Sequence, residues 1–236
     1  MSYRANGEPG SPVPGNLFLS SSQHVFSFCY TYSMFKAIIF DAGGVIIEQG
    51  QQLNEFVKIF KPNDKRRFRE RIHHFAAALC KGEITEGEYW RKVAESENVD
   101  PKTIPPNLWV QGYEETTKIK LCVIKLIKSL RKKYKTILIS NTIEPHVLVN
   151  KERGLFENFD DVINSNEVHL SKDDPKIFKL ALERNQLNAR ECIFIDDIRK
   201  FVEVAESLGI KGIIFENIDQ LIKELKNLGI DAPQSN

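Results

Sequence analysis

Apolar residues gather in five short runs, at 35–40, 136–140, 161–164, 192–195 and 211–215, and each run is followed by a polar residue. Runs this short, rich in Ile and Phe and lacking strict alternation, read as strands buried on both faces, as in a parallel sheet. Helical periodicity separates the later runs. Residues 119–134 place Val123, Leu126, Ile127, Leu130 and Tyr134 on one side. A further helix is expected after Lys172, with Pro175 in its first turn and Ile177, Leu180 and Ala181 as apolar positions. Another covers 201–208 and stops at Gly209, and the last covers 218–228 and ends at Gly229. Strand and helix in alternation predict an α/β fold, a Rossmann-like three-layer core around a parallel sheet.

The first two strands are separated by roughly ninety residues, far more than a crossover helix needs. Helical pattern recurs there at 51–60, 64–80, 85–96 and 107–118, punctuated by Pro62, Gly82, Pro101, Pro105 and Pro106. Thr85 and Glu88 have the spacing of a capping box. The segment predicts a small inserted helical cap domain. Trp90, Trp109, Phe75 and Tyr113 are expected to form its core, with a pocket wall as the other reading. The expected division is a disordered N-terminal extension at 1–33, an α/β core at 34–48 and 119–236, and a cap at 49–118. Gly7, Pro9, Gly10, Pro12, Pro14 and Gly15 break regular structure in the extension, and Arg4 is its only basic residue, which is too little for a signal peptide.

Composition narrows the function classes. A net charge of +1 over 236 residues gives no reason to expect nucleic acid partners. No run approaches the ~18 apolar residues of a membrane span. Seven basic residues between Lys118 and Lys133 read as the solvated outer face of a core helix. Cys29, Cys80, Cys122 and Cys192 are scattered without a Cys-x-x-Cys pair, so Cys122 and Cys192, in apolar runs, are expected as buried reduced thiols. Adjacent His73 and His74 do not have the spacing of shared metal ligands. The expectation is a cytoplasmic protein, monomer or homodimer.

Chemistry collects at the ends of the predicted strands. Asp41 follows the first, and Gly43 and Gly44 let the chain turn sharply beside it. Ser140-Asn141-Thr142 ends the second strand, Lys172 precedes the helix begun by Pro175, and Asp196-Asp197 ends the fourth. Taken singly, Asp196-Asp197 or Ser140-Asn141-Thr142 would serve as helix caps. Together, beyond the carboxyl ends of the strands of an open sheet, they stand where ligands bind.

This ordered set resembles the haloacid dehalogenase superfamily of aspartate-nucleophile phosphohydrolases, in the branch with a helical cap inserted after the first motif. The resemblance runs from about Met34 to Gly229. It implies Asp41 as nucleophile, Lys172 as the cation that counters carboxylate and phosphoryl charge, and Mg²⁺ held by Asp41, Asp196, Asp197 and the Gly43 carbonyl. It also implies phosphate held by Ser140, by the amides of Asn141 and Thr142, and by Gly44. The substrate implied is a small phosphorylated metabolite, with sugar phosphates as one candidate class. Two departures stand out. Gly43 occupies the position where relatives carry an Asp that acts as general acid and base, and Phe201 stands where they often place an Asn. Asp173 and Asp174 are further expected to pair with Lys172 and partly neutralise it. The leading function is Mg²⁺-dependent hydrolysis of phosphate monoesters through an aspartyl-phosphate. The alternatives are a catalytically weak relative that binds a phosphorylated ligand or a protein, and a haloacid dehalogenase.

Overall fold

Five parallel strands pair in the order β3-β2-β1-β4-β5: β1 Ala37–Phe40, β2 Lys135–Ser140, β3 Asp161–Asn164, β4 Cys192–Asp196 and β5 Lys211–Ile214. The computed structural model describes residues 34–48 and 50–233; the expected extension at 1–33 lies outside them. Side chains alternate across the sheet, as strand geometry requires. Ile38 and Phe40 join one core with Val123, Leu126 and Leu221, whereas Ala37 and Ile39 join a second core with Ile177, Phe178 and Ala205. The sheet is therefore covered on both faces, which is why its strands read as unbroken apolar runs.

Between β1 and β2 lie α1 Gln52–Phe60, α2 Lys65–Cys80, α3 Glu86–Ser96 and α4 Leu108–Thr116. Their starts follow local chemistry. Asp64 Oδ1 accepts from the amides of Arg66 and Arg67 at 2.9 and 3.0 Å, and Thr85 with Glu88 forms the capping box at the head of α3. These helices bury Phe56, Phe60, Phe68, Tyr89, Trp90 and Trp109 in a third cluster, to which the core contributes Ile143. The two connections to the rest of the chain lie side by side: Glu48 donates to the Lys118 carbonyl at 2.9 Å, and Lys120 to the Ile46 carbonyl at 2.8 Å.

The remaining helices are α5 Leu121–Leu130, α6 Glu144–Glu152, α7 Ser165–Val168, α8 Lys176–Asn185, α9 Arg199–Glu206 and α10 Ile218–Asn227. Helix α5 buries Val123, Ile124, Leu126, Ile127 and Leu130. Cys122 is exposed, which corrects the expectation of a buried thiol: it stands in the first turn of α5, at the edge of that stripe. Cys192, on β4, is buried as expected, and burial pushes its thiol up to about 12. Among the described residues no helix is long and apolar enough to cross a membrane.

Candidate active site

Strand β1 lies between β2 and β4, so the connections leave it in opposite directions and a crevice opens beyond its carboxyl end. Asp41 stands at that end, 5% exposed, its amide continuing the ladder to the Ile195 carbonyl at 2.9 Å. On the neighbouring strand Asp196 is fully buried. Its Oδ1 accepts from the Ile198 amide at 2.8 Å, which fixes the carboxylate plane. Lys172, 2% exposed, inserts Nζ between the two and meets Asp41 Oδ1 at 2.5 Å and Asp196 Oδ2 at 2.6 Å. The Lys172 amide donates to Asn141 Oδ1 at 2.9 Å, tying this loop to the end of β2.

Asp41, Asp196 and Asp197 each offer a carboxylate oxygen, and these atoms lie within 4.8 Å of one another. An all-oxygen anionic donor set of this kind fits a hard divalent cation. Burial raises the Asp41 carboxyl to about 7; the charge of Asp196 adds to this and the Lys172 ammonium opposes it. Asp197 is raised by burial and then by Asp196. Lys172 is raised too: burial works against its charge, but the two carboxylates outweigh it. Two of the three carboxyls are thus held above the ordinary carboxylate range despite the neighbouring lysine.

The two glycines play different parts. Gly44 has φ +79°, and a Cβ there would stand 2.1 Å from Asp197 Oδ2, so only glycine lets that carboxylate close onto the turn. Its amide already donates to the Ile47 carbonyl at 2.8 Å and its carbonyl receives Lys120 Nζ. Gly44 thus shapes the turn, with its amide and its carbonyl both engaged. Gly43 has no heavy atom beyond its chain neighbours within 4 Å of the point where a Cβ would stand. Ser140 is buried at the end of β2. The Thr142 amide donates to Ser165 Oγ at 2.9 Å.

Further expectations fare differently. Asp173 pairs with Lys200, while Asp174 accepts from the Lys176 amide at 2.9 Å, so neither neutralises Lys172. Phe201 lies with its ring centroid 4.8 Å from Lys172 Nζ, offering a π face to the buried ammonium.

A cavity of about 550 Å³ runs from Gly43, Ser140, Asn141 and Thr142 to the inserted helices. Trp109 and Tyr113 line it, whereas Trp90 and Phe75 pack within the helical cluster. His146, near the start of α6, also lines it, stacked on Tyr113 with centroids 3.9 Å apart. Sequence reasoning missed His146, and burial pushes it down to about 3.

A family model described as haloacid dehalogenase-like hydrolase matches residues 35–209. The chain belongs to the haloacid dehalogenase-like hydrolase family. Its curated relatives include D-ribitol-5-phosphate phosphatase of Bacteroides thetaiotaomicron, 25% identical over 78% of this chain and 93% of that protein. The mouse acyl-CoA dehydrogenase family member 10 is 28% identical over 82% of this chain; the match spans only 19% of that protein. It spans 30% of the pig bifunctional epoxide hydrolase 2, so the chain corresponds to a fraction of these two. Among solved structures, a haloacid dehalogenase family enzyme from B. thetaiotaomicron in complex with magnesium and inorganic phosphate superposes with TM-score 0.66 at 26% identity, covering 79% of this chain and 98% of that one. A hydrolase of the same family from Porphyromonas gingivalis reaches TM-score 0.71 at 22% identity, covering 83% of this chain and 98% of that one, and shares the fold.

Proposed function

We propose that this hydrolase cleaves small phosphate monoesters in a Mg²⁺-dependent reaction that passes through an aspartyl-phosphate on Asp41. The observation that carries this reading is the convergence of Asp41, Asp196 and Asp197 on one point at the carboxyl end of the sheet, beside the buried Lys172. These three carboxylates, with the Gly43 carbonyl, would hold the ion. Bound there, Mg²⁺ neutralises phosphate charge so that a carboxylate and a phosphate dianion can approach.

The chain's own groups do the rest. Asp41 attacks phosphorus through a carboxylate oxygen; a P–O bond forms to the enzyme and the P–O bond to the leaving group breaks. Lys172 offsets negative charge on Asp41 and on the phosphoryl oxygens as the bond changes proceed. Ser140 Oγ and the Asn141 amide hold phosphoryl oxygens. With glycine at position 43, the departing oxygen takes its proton from water. A second water then attacks phosphorus, gives up a proton to solvent, and releases phosphate and the free Asp41 carboxylate. The phosphatase relative of nearly equal length and the magnesium and phosphate complex of the B. thetaiotaomicron enzyme support this reading. The cavity suits a metabolite-sized ligand.

Gly43 favours a second reading. No side chain fills the space of the missing acid, so a relative that binds a phosphorylated ligand and turns it over weakly also fits. The acidic trio speaks against metal-free dehalogenation. Hydrolysis of phenyl phosphate with Mg²⁺ and with a chelator separates these readings. Turnover with Mg²⁺ that falls at least 100-fold on chelation is expected. A rate indifferent to chelation would contradict the metal role, and phosphate binding without turnover would select the second reading.

A further inference from the structure

One side of α2 forms a wall of the cavity. Arg69, Ile72, His73 and Ala76 line it, with the spacing of a single helix face. Ile72 and Ala76 are apolar, so Arg69 and His73, one turn apart, supply the polar groups of that face. Both residues are exposed, and a ligand in the cavity can therefore meet them.

Arg69 differs from the other arginines of α2. Arg66 pairs with Glu70, Arg67 with Asp64 and Arg71 with Glu97. Among the described residues Arg69 pairs with no carboxylate; its Nη2 donates to Asn54 Oδ1 at 3.4 Å, toward the start of α1 on the same cavity. Asn54 is itself steadied, donating from Nδ2 to Gln51 Oε1 at 2.9 Å. Glu48, the one carboxylate among the described residues that line the cavity, forms an ion pair with neither Arg69 nor His73. A guanidinium carries five N–H donors in a planar fork, so most of those on Arg69 remain open to a ligand. The fork matches two oxygens of a carboxylate or a phosphate, and an imidazole N–H of His73 adds a donor beside it.

We propose that Arg69 and His73 form a subsite for a second anionic group of the substrate, so that the preferred phosphate ester carries a carboxylate or a further phosphate on its leaving group. This rests on the phosphoester reading, in which Ser140 and Asn141 hold the reacting phosphate and the leaving group extends toward the inserted helices. With a neutral leaving group Arg69 stays in water. With an anionic one it gains charge-assisted hydrogen bonds. The subsite thus selects by attraction and acts on binding, not on the bond that is cleaved.

Affinity in the absence of turnover tests this. In Asp41→Asn protein with Mg²⁺, calorimetry compares ω-carboxyalkyl phosphates of increasing chain length, each with its primary amide, and the matching α,ω-bisphosphates with the monophosphates. At one chain length the carboxylate or the bisphosphate should bind about tenfold or more tighter than its neutral counterpart, the lower end for hydrogen bonds to charged groups. A gain for both anions assigns charge as what is read; a gain for the bisphosphate alone assigns a second phosphate. Adding Arg69→Gln should abolish most of the gain and His73→Gln part of it. Both positions are exposed on a helix and glutamine is a good helix former, so the fold is kept. Arg66→Gln, which removes the same charge from the same helix away from the cavity lining, should leave the gain in place. Equal binding of every charged and neutral pair, a gain unmoved by Arg69→Gln, or an equal loss in Arg66→Gln would overturn the assignment. Wild-type turnover of phenyl phosphate is judged separately: turnover without a preference for anionic leaving groups contradicts this inference alone, and the preference without turnover contradicts the hydrolysis alone.

Discussion

Adjacent glycines at 43 and 44 look alike in sequence and have opposite tolerances. Gly44 combines positive φ with a carboxylate against its α-carbon, so Gly44→Ala should push Asp197 away and lower Mg²⁺ affinity by tenfold or more. Calorimetric titration with Mg²⁺ checks this, and an unchanged affinity would show that Asp197 is not a ligand. Gly43 has space around it and no positive φ. Gly43→Asp should therefore restore a proton donor, an effect of about 10²–10⁴-fold on esters with poor leaving groups. Wild-type rates should depend steeply on leaving-group pKa and the variant's rates less so; equal slopes would mean that another residue donates the proton. His146 supplies a pH prediction. The folded protein holds it neutral with its pKa near 3, whereas the unfolded chain protonates it below about 6.5. Stability present above 6.5 is therefore lost as pH falls from there toward 3. Wild type should lose more melting temperature than His146→Phe between pH 7 and 5; parallel losses would contradict the buried neutral ring. Asp41 and Asp196 were legible in sequence because strand ends announce them, and Lys172 because it stands just before the helix that Pro175 begins. His146, and the Ser165 hydroxyl that engages Thr142, were not, since only tertiary packing brings their helices to the site.

At the scale of elements, Lys172 joins the loop before α8 to the ends of β1 and β4. Removing one partner of a buried ion pair typically destabilises by about 3–5 kcal/mol because the remaining charge is left uncompensated. Lys172→Met should show a loss of this order in urea denaturation without metal, and Mg²⁺ should restore part of it by supplying the missing charge. Unchanged stability would mean that the carboxylates are neutral without the lysine. The strands and most helices could be read from periodicity because each buries a continuous stripe or run. The side of α5 facing outward was misjudged at Cys122, since an apolar run alone does not say which of its members points away from the sheet. The pairing of Asp173 with Lys200 was equally hidden: it depends on how α9 lies beside the Lys172 loop.

Across the whole molecule, Lys172 and the carboxylates of Asp41, Asp196 and Asp197 gather at the carboxyl end of the sheet, while the helices inserted after β1 bring Trp109 and Tyr113 to the cavity. The length of the insertion announced those helices; the composition of the wall required the packing of α4 against α6. Under the proposed function, such a division would place bond cleavage on the core and choice of substrate on the insertion. The most direct test is the turnover of phenyl phosphate by Asp41→Asn with saturating Mg²⁺. The amide keeps the size of the carboxylate but cannot attack phosphorus, so kcat/KM should fall by about 10³-fold or more while the far-ultraviolet circular dichroism stays that of wild type. Hydrolysis by this folded variant at a rate near that of wild type would contradict the assignment of Asp41 as nucleophile and, with it, the aspartyl-phosphate route.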